Sequence, residues 1–359
     1  MNLPENLKQR YSRESRTVFE AQRAAQEIAF GPIVFQVSRT MLEFGIFKLL
    51  NDNPKGLTME QIIVKSKLSD YAVKVLMEAS LTIGTVLIKD DLFFISKTGW
   101  YLLNDPMTNA NLNFVQDVNY LGFFNLEKSL TDGKPEGLKI FGNWPTIYQG
   151  LSQLPADVQK SWFEFDHFYS DHNFSQALDI ILKNNPKTIL DIGGNTGRFA
   201  VQCVARSKDI SVTVMDLPQQ LELMANAIEA VEGRNRINQH PCDVLNENSE
   251  FPQPHDVVWM SQFLDCFSKE QILQILQKAK NSVAPQGRLY IMETFWDRQK
   301  YETAAYCLTL TSLYFTAMAN GNSKMYHSDD FLEIVKQAGL TVSNIYEMEY
   351  GHSLVECII

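Results

Sequence analysis

Residues 187–197, Lys-Thr-Ile-Leu-Asp-Ile-Gly-Gly-Asn-Thr-Gly, constrain the fold more than any other stretch of this chain. An apolar run, Ile189 and Leu190, ends at Asp191 and opens into a glycine turn, and helical sequence follows from Arg198. A buried parallel strand feeding such a loop lets the backbone approach a ligand closely. A second strand, Ile210-Ser-Val-Thr-Val-Met, ends at Asp216, about twenty residues past the turn. A carboxylate at that place can accept two hydrogen bonds from a ribose diol. The pair points to a cofactor that carries adenosine.

Glycine spacing bears on which cofactor this is. A dinucleotide fingerprint needs Gly at i, i+2 and i+5, so that pyrophosphate sits on the helix N-terminus. From Gly193 those places hold Asn195 and Arg198, and from Gly194 they hold Thr196 and Phe199, which disfavours NAD. The run instead resembles the first motif of class I S-adenosylmethionine (SAM) methyltransferases, Asp/Glu-x-Gly-x-Gly-x-Gly. Asp191, Gly193 and Gly197 match, and Asn195 replaces the middle Gly. Asn is the non-glycine residue that best tolerates a left-handed turn, so the departure is mild.

With 359 residues the chain has room for two domains. A net charge of −10 argues against nucleic acid or an anionic membrane as the main partner. The cysteines (203, 242, 266, 307 and 357) form no C-x-x-C pair, which fits a reduced, cytoplasmic setting and disfavours a metal centre. The N-terminus has no apolar core of a secretory signal. Thr303–Asn322 is uncharged, but its threonines, asparagines and tyrosines suit a buried helix better than a membrane span.

Residues 1–34 read as helical and amphipathic, with Pro32 as an interruption. A helix is expected over Val37–Leu50, and Thr58 with Gln61 forms a capping box. A third helix spans Tyr71–Ile83 and ends at Gly84, and a hairpin follows around Asp90-Asp91. Three helices and a hairpin make a winged helix. DNA binding is disfavoured, because the basic side chains between Arg39 and Asp105 are balanced by as many acidic ones. Dimerisation and a substrate lid are the favoured roles.

Residues 106–180 read as a mostly helical linker and lid. From Lys187 strands at 187–191, 210–215, 237–242, 256–260 and 288–293 alternate with helical stretches, and a terminal hairpin completes the pattern. The expected fold is α/β: a seven-stranded class I methyltransferase sheet behind an N-terminal winged-helix domain. The expected domains are 1–105, 106–180 and 181–359.

Nearly the whole chain resembles the O-methyltransferase family of plants and bacteria, which joins a winged-helix dimerisation domain to a SAM-binding domain. Thr40-Met-Leu-Glu-Phe-Gly-Ile-Phe47 resembles the family's first lobe helix, and Ser129-Leu-Thr-Asp-Gly-Lys-Pro135 its linker. Tyr169-Ser-Asp-His172 resembles the element beside substrate and SAM. Asp216-Leu-Pro218 resembles the ribose motif, Cys242-Asp243-Val244 the adenine turn, and Gln337-Ala-Gly-Leu340 the C-terminal motif. The resemblance implies a homodimer and a small phenolic, enolic or polyketide-like acceptor, with S-adenosylhomocysteine as product. It also implies a cofactor site of Asp191, Gly193, Gly194, Gly197, Asp216, Leu217, Asp243, Val244 and Ser261. The acceptor would meet Phe124, Tyr169, His172, Phe315 and Asn320, and Phe123, Trp144 and Phe165 are further aromatics suited to an apolar pocket.

The catalytic residues depart from the family pattern. Where the family has a His propped by two Glu residues, ungapped alignment places Asp265; Glu293 matches the first Glu, and Met325 stands at the second. An ordinary Asp is about six units too acidic to deprotonate a phenol efficiently. General-base catalysis typically contributes about 10²–10⁴-fold, and alignment of reactants can contribute far more. The favoured reading is therefore methylation driven by proximity, with Asp265, Glu293 and His172 as the candidate catalytic groups. A same-fold enzyme of changed reaction (hydroxylation or decarboxylation) and a non-enzymatic SAM-binding module are the alternatives.

Overall fold

The computed structural model describes residue 8 and residues 11–359, without the side chains of Tyr169 and Ser170. Two compact units divide the chain at Asn113 and Phe114. Part of the helix expected over 1–34 lies outside the described residues.

In the N-terminal unit, α1 (Val18–Ala29) opens on a capping box between Thr17 and Glu20. Pro32 lies in the first turn of α2 (Gly31–Glu43), where its missing N–H costs nothing. It therefore starts a helix, correcting the expected interruption. Gly45, at φ +68°, separates α2 from α3 (Ile46–Asn51), so the segment expected as one helix is two. The Thr58–Gln61 capping box opens α4 (Met59–Ser66), and α5 (Asp70–Ile83) ends at left-handed Gly84. Strands β1 (Val86–Lys89) and β2 (Leu92–Ile95) pair antiparallel. Asp90 and Asp91 both take positive φ, the backbone a two-residue hairpin turn requires. Met41, Ile46, Phe47, Leu50, Ile62, Val73, Met77 and Phe93 form the core of this unit. Helices α6 (Lys97–Asn104) and α7 (Pro106–Asn113) complete it. Helix α1 buries none of its residues, and Val18, Phe19 and Ile28 stay at least 80% exposed.

The C-terminal unit is built on a seven-stranded sheet of order β5-β4-β3-β6-β7-β9-β8, as expected. Its strands are β3 (Thr188–Ile192), β4 (Ser211–Asp216), β5 (Ile237–Pro241), β6 (His255–Ser261), β7 (Val283–Glu293), β8 (Thr341–Glu347) and β9 (Ser353–Ile358). Strand β9 runs antiparallel to both neighbours, and the other pairings are parallel. Short helices α8 (Leu126–Asp132) and α9 (Ile147–Gly150) precede α10 (Ala156–Ser170). Helices α11 (Phe174–Ile181), α12 (Arg198–Arg206) and α13 (Pro218–Ala227) pack in one core cluster with β3, β4 and β6. Helices α14 (Lys269–Lys280) and α16 (Ser328–Gln337) pack in a second. Ile272, Ile275, Leu276 and Ala279 recur at helical spacing and supply the buried stripe of α14.

A third cluster contains no strand residue. Phe114, Val118 and Trp162 of α10 pack there with Leu308 and Tyr314 of α15 (Glu302–Tyr314) and with Phe315 and Met318 of the wide turn Phe315–Ala319. The helix expected over Thr303–Asn322 is present, but Tyr306 and Leu310 are exposed, so only one side of it is buried. Among the described residues no helix is long and apolar enough to cross a membrane. Strand order reverses between β3 and β6. In open α/β sheets the crevice beyond the carboxyl ends at such a point is where ligands bind.

Candidate cofactor and acceptor site

A cavity of about 280 Å³ opens at that crevice. Its floor begins where β3 ends. Gly193 and Asn195 hold φ of +75° and +50°, and Gly193 N donates to Met215 O at 2.8 Å, tying the loop to β4. A Cβ on Gly193 would lie 2.1 Å from the Phe263 ring, so the residue there has to be glycine. Gly197, at φ +78°, caps α12 outside the cavity lining and shapes the turn.

Asp216 ends β4 and accepts hydrogen bonds from Asn195 N (2.9 Å) and Leu217 N (2.7 Å), one on each oxygen. Burial raises its carboxyl to about 6, against the lowering effect of those bonds. Asp191 is buried below it, and burial together with the Asp216 charge pushes its carboxyl up to about 8. Asp191, Gly193, Gly194, Asp216, Leu217, Asp243, Val244 and Ser261 all line the cavity.

Beyond β6 the chain turns through Gln262 at φ +44°, and Gln262 N donates to Met292 O at 2.9 Å. Glu293, buried at the end of β7, accepts from Phe263 N (3.1 Å) and Leu264 N (2.9 Å) through the same oxygen. It clamps the turn that presents Asp265 and is itself outside the lining. Asp265 lines the cavity at 5% exposure, and burial raises its carboxyl above the ordinary range. The gap of about six units to a phenol, drawn from an ordinary Asp, is therefore narrower here.

The far wall is aromatic. Phe114 and Phe165 stack with centroids 3.8 Å apart, Trp162 Nε1 donates to Tyr314 Oη at 2.7 Å, and Tyr148 and Phe315 join the lining. Asn320 lines it too, donating from Nδ2 to Cys266 O and to Ser323 Oγ.

Two expected acceptor contacts lie elsewhere. His172 is exposed just past the end of α10, bonded to Phe168 O at 2.9 Å with its ring on Tyr350, and does not line the cavity. Phe124 is 83% exposed. The Tyr169 side chain lies outside the described residues. Phe123 and Trp144 pack in the third cluster without lining the cavity.

Residues that sequence reasoning missed include Asp166, His167, Tyr148, Trp162, Gln220 and Cys266. Asp166 accepts from Asn195 Nδ2 at 3.0 Å, and His167 meets Thr196 Oγ1 at 3.2 Å, so α10 reaches the glycine loop. Burial lowers the proton affinity of His167. The helical spacing of Trp162, Phe165 and Asp166 was the available signal.

Several buried polar atoms of lining residues have no hydrogen-bond partner among the described residues: Asp191 Oδ2, both amide atoms of Gln220, Trp259 Nε1 and Ser261 Oγ. Buried polar groups are normally paired, so this set suits a polar ligand such as a nucleoside with an amino-acid tail. Among the described residues no group of His, Cys, Asp or Glu has the makings of a metal site.

Residues 171–341 match the O-methyltransferase domain, and residues 22–93 match the Dimerisation2-like domain. The chain belongs to the SAM-dependent O-methyltransferase family. Its relatives include the L-tyrosine C(3)-methyltransferase of Streptomyces lavendulae, 22% identical and covering 90% of this chain and 88% of that one. Another is the demethylspheroidene O-methyltransferase of Rhodobacter capsulatus, 21% identical over 88% of this chain and 76% of that one. Among solved structures, the apo SAM-dependent methyltransferase SibL superposes with a TM-score of 0.71 at 23% identity, covering 93% and 98% of the two chains. Human N-acetylserotonin methyltransferase in complex with SAM gives 0.67 at 16% identity, covering 96% and 99%. Within this O-methyltransferase framework Asp265 is a buried acid in the cavity wall.

Proposed function

We propose that this methyltransferase transfers the methyl group of SAM to the hydroxyl of a small aromatic acceptor. The observation that carries this reading is one cavity joining the glycine turn, Asp216 and an aromatic chamber. Bound SAM supplies a methyl group on a sulfonium, which leaves as a neutral thioether. Asp216 has one acceptor site left on each oxygen after serving two backbone N–H groups, enough for a ribose diol. Gly193, Gly194 and Asp191 take the methionine end, Leu217, Asp243 and Val244 flank the base, and Ser261 adds a polar contact. Gly197 keeps the turn in register.

On the acceptor side, Phe165, Tyr314 and Phe315 hold a flat ring and exclude water, with Asn320 as a polar marker of its edge. Alignment against the methyl group supplies most of the rate. Asp265, with proton affinity raised by burial, takes the hydroxyl proton or passes it to solvent, and Glu293 positions it. The surface of α1 and the Dimerisation2-like match support a homodimer formed through the N-terminal unit.

Incubation with methyl-labelled SAM and a panel of phenols tests the reading. Label in an ether product together with S-adenosylhomocysteine is expected. Acceptor converted to product without formation of S-adenosylhomocysteine would instead indicate a changed reaction, and no transfer to any phenol refutes the proposal. The tyrosine C-methyltransferase relative supports a second reading, in which the ring carbon beside the hydroxyl attacks the methyl group and Asp265 accepts the displaced ring proton. A product whose new methyl is bonded to carbon distinguishes the two.

A further inference from the structure

Several polar protons in the wall of the aromatic chamber are already taken by the protein. Trp162 Nε1 donates to Tyr314 Oη at 2.7 Å, Asn320 Nδ2 to Cys266 O and Ser323 Oγ, and Thr311 Oγ1 to Cys307 O. Two tyrosine protons are not. Tyr148 Oη is buried without a hydrogen-bond partner among the described residues, and the nearby Cys266 thiol is a weak substitute for one. Tyr314 Oη accepts from Trp162, which leaves its own proton to donate, and no acceptor among the described residues takes it.

Both hydroxyls belong to the wall that carries Asp265. Tyr148, Tyr314 and Cys266 pack in one cluster, and Cys266 Sγ donates to Asp265 Oδ1 at 3.4 Å, which ties the carboxyl to that cluster. All four residues line the cavity. Burial pushes both tyrosines well above the ordinary value, so each keeps its proton. An acceptor oxygen that gives its proton to a buried carboxylate is left charged in an apolar space. That is costly unless hydrogen-bond donors meet it.

We propose that Tyr148 and Tyr314 are a pair of hydrogen-bond donors to the acceptor's phenol oxygen as it ionises. This rests on the phenol-methylating reading above. The proton passes to Asp265, the electron pair stays on the oxygen, and the two O–H groups stabilise the anion that attacks the methyl group. A hydrogen bond to a charged group exceeds one to a neutral group by roughly the equivalent of one pKa unit, so each hydroxyl favours ionisation of the bound phenol by about that much. Attack through the ring carbon draws on the same donors, because it too starts from the phenolate.

The test uses the full-length protein saturated with S-adenosylhomocysteine, and 4-nitrophenol, whose visible absorbance reports its ionisation. Tyr148→Phe is the clean variant: it keeps the ring and strands no partner, whereas Tyr314→Phe also orphans Trp162 Nε1. In Tyr148→Phe the pH midpoint of the bound dye is expected to rise by about one unit, with S-adenosylhomocysteine affinity unchanged. Single-turnover methylation of a phenol found active in the panel is expected to fall about tenfold at a pH below that phenol's own ionisation, and to recover as pH rises. An unmoved dye midpoint overturns the proposal, even if KM rises, because the hydroxyl then grips another part of the acceptor. A rate loss that is equal at every pH also overturns it, since that marks a structural role. Failure of 4-nitrophenol and of every phenol in the panel to bind, with S-adenosylhomocysteine still bound, refutes the phenol reading itself.

Discussion

Replacing Asp216 separates its two tasks. Each carboxylate oxygen accepts one backbone N–H, from Asn195 at 2.9 Å and from Leu217 at 2.7 Å, and keeps one further acceptor site for ligand. Asp216→Asn preserves the shape but turns one oxygen into an NH₂ group, which faces a backbone N–H as donor against donor. One backbone bond and one diol bond are lost. At about 1.5–3 kcal/mol for a hydrogen bond to a charged group, cofactor affinity falls by roughly 10- to 150-fold. Asp216→Ala removes both diol bonds, about 3–6 kcal/mol, and orphans both N–H groups, which costs the fold a further 2–6 kcal/mol or so. Calorimetry with S-adenosylhomocysteine reads the first quantity and urea melts read the second. If Asp216→Asn binds S-adenosylhomocysteine within threefold of the unaltered protein, the assignment of Asp216 to the ribose is wrong.

Other consequences are equally direct. The carboxyls of Asp216, Asp166 and Asp191 are raised to about 6, 7 and 8, above the unfolded value near 3.8, so the native state binds more protons than the unfolded one between those limits. Their contribution to stability therefore declines as pH climbs from about 4 to about 8; the ligand-free protein should melt higher at pH 6 than at pH 8.5, with SAM narrowing the difference, and the reverse order refutes it. Glu293→Gln keeps an acceptor for Phe263 N and Leu264 N and should fold normally, whereas Glu293→Ala orphans both and should lose about 2–6 kcal/mol in urea melts and at least tenfold in single-turnover methyl transfer. Phe19→Glu combined with Ile28→Glu charges the exposed side of α1 and should halve the mass measured by light scattering; an unchanged dimer mass rejects α1 as the interface.

Strands were legible because β-branched runs ended on Asp191 and Asp216 and were followed by glycine or proline, a local signal. Strand β7 was read too short: Pro285-Gln286-Gly287 looks like a turn, yet Val283 already pairs with His255 and the register shifts before Val257. Proline is accommodated at such irregularities. Capping boxes at Thr58 and Ser268 were legible for the same local reason. The acceptor wall was not, because it is assembled from segments far apart in sequence. Phe124 and Phe165 look alike as letters, and only tertiary packing turns one to solvent and the other inward. Resemblance pointed to His172, but α10 ends at Ser170 and offers Asp166 and His167 to the cavity instead. Nor can sequence alone supply the proton affinity of Asp265, which depends on how much water its neighbours exclude.

The aromatic chamber draws its packing from a cluster that shares no residue with the two clusters built around the sheet. Changes at Leu308 or Phe315 thus fall first on packing among helices and not on the core of the sheet that carries the glycine turn and Asp216. Such an arrangement lets descendants of one enzyme retailor what they methylate while inheriting an intact grip on the methyl donor.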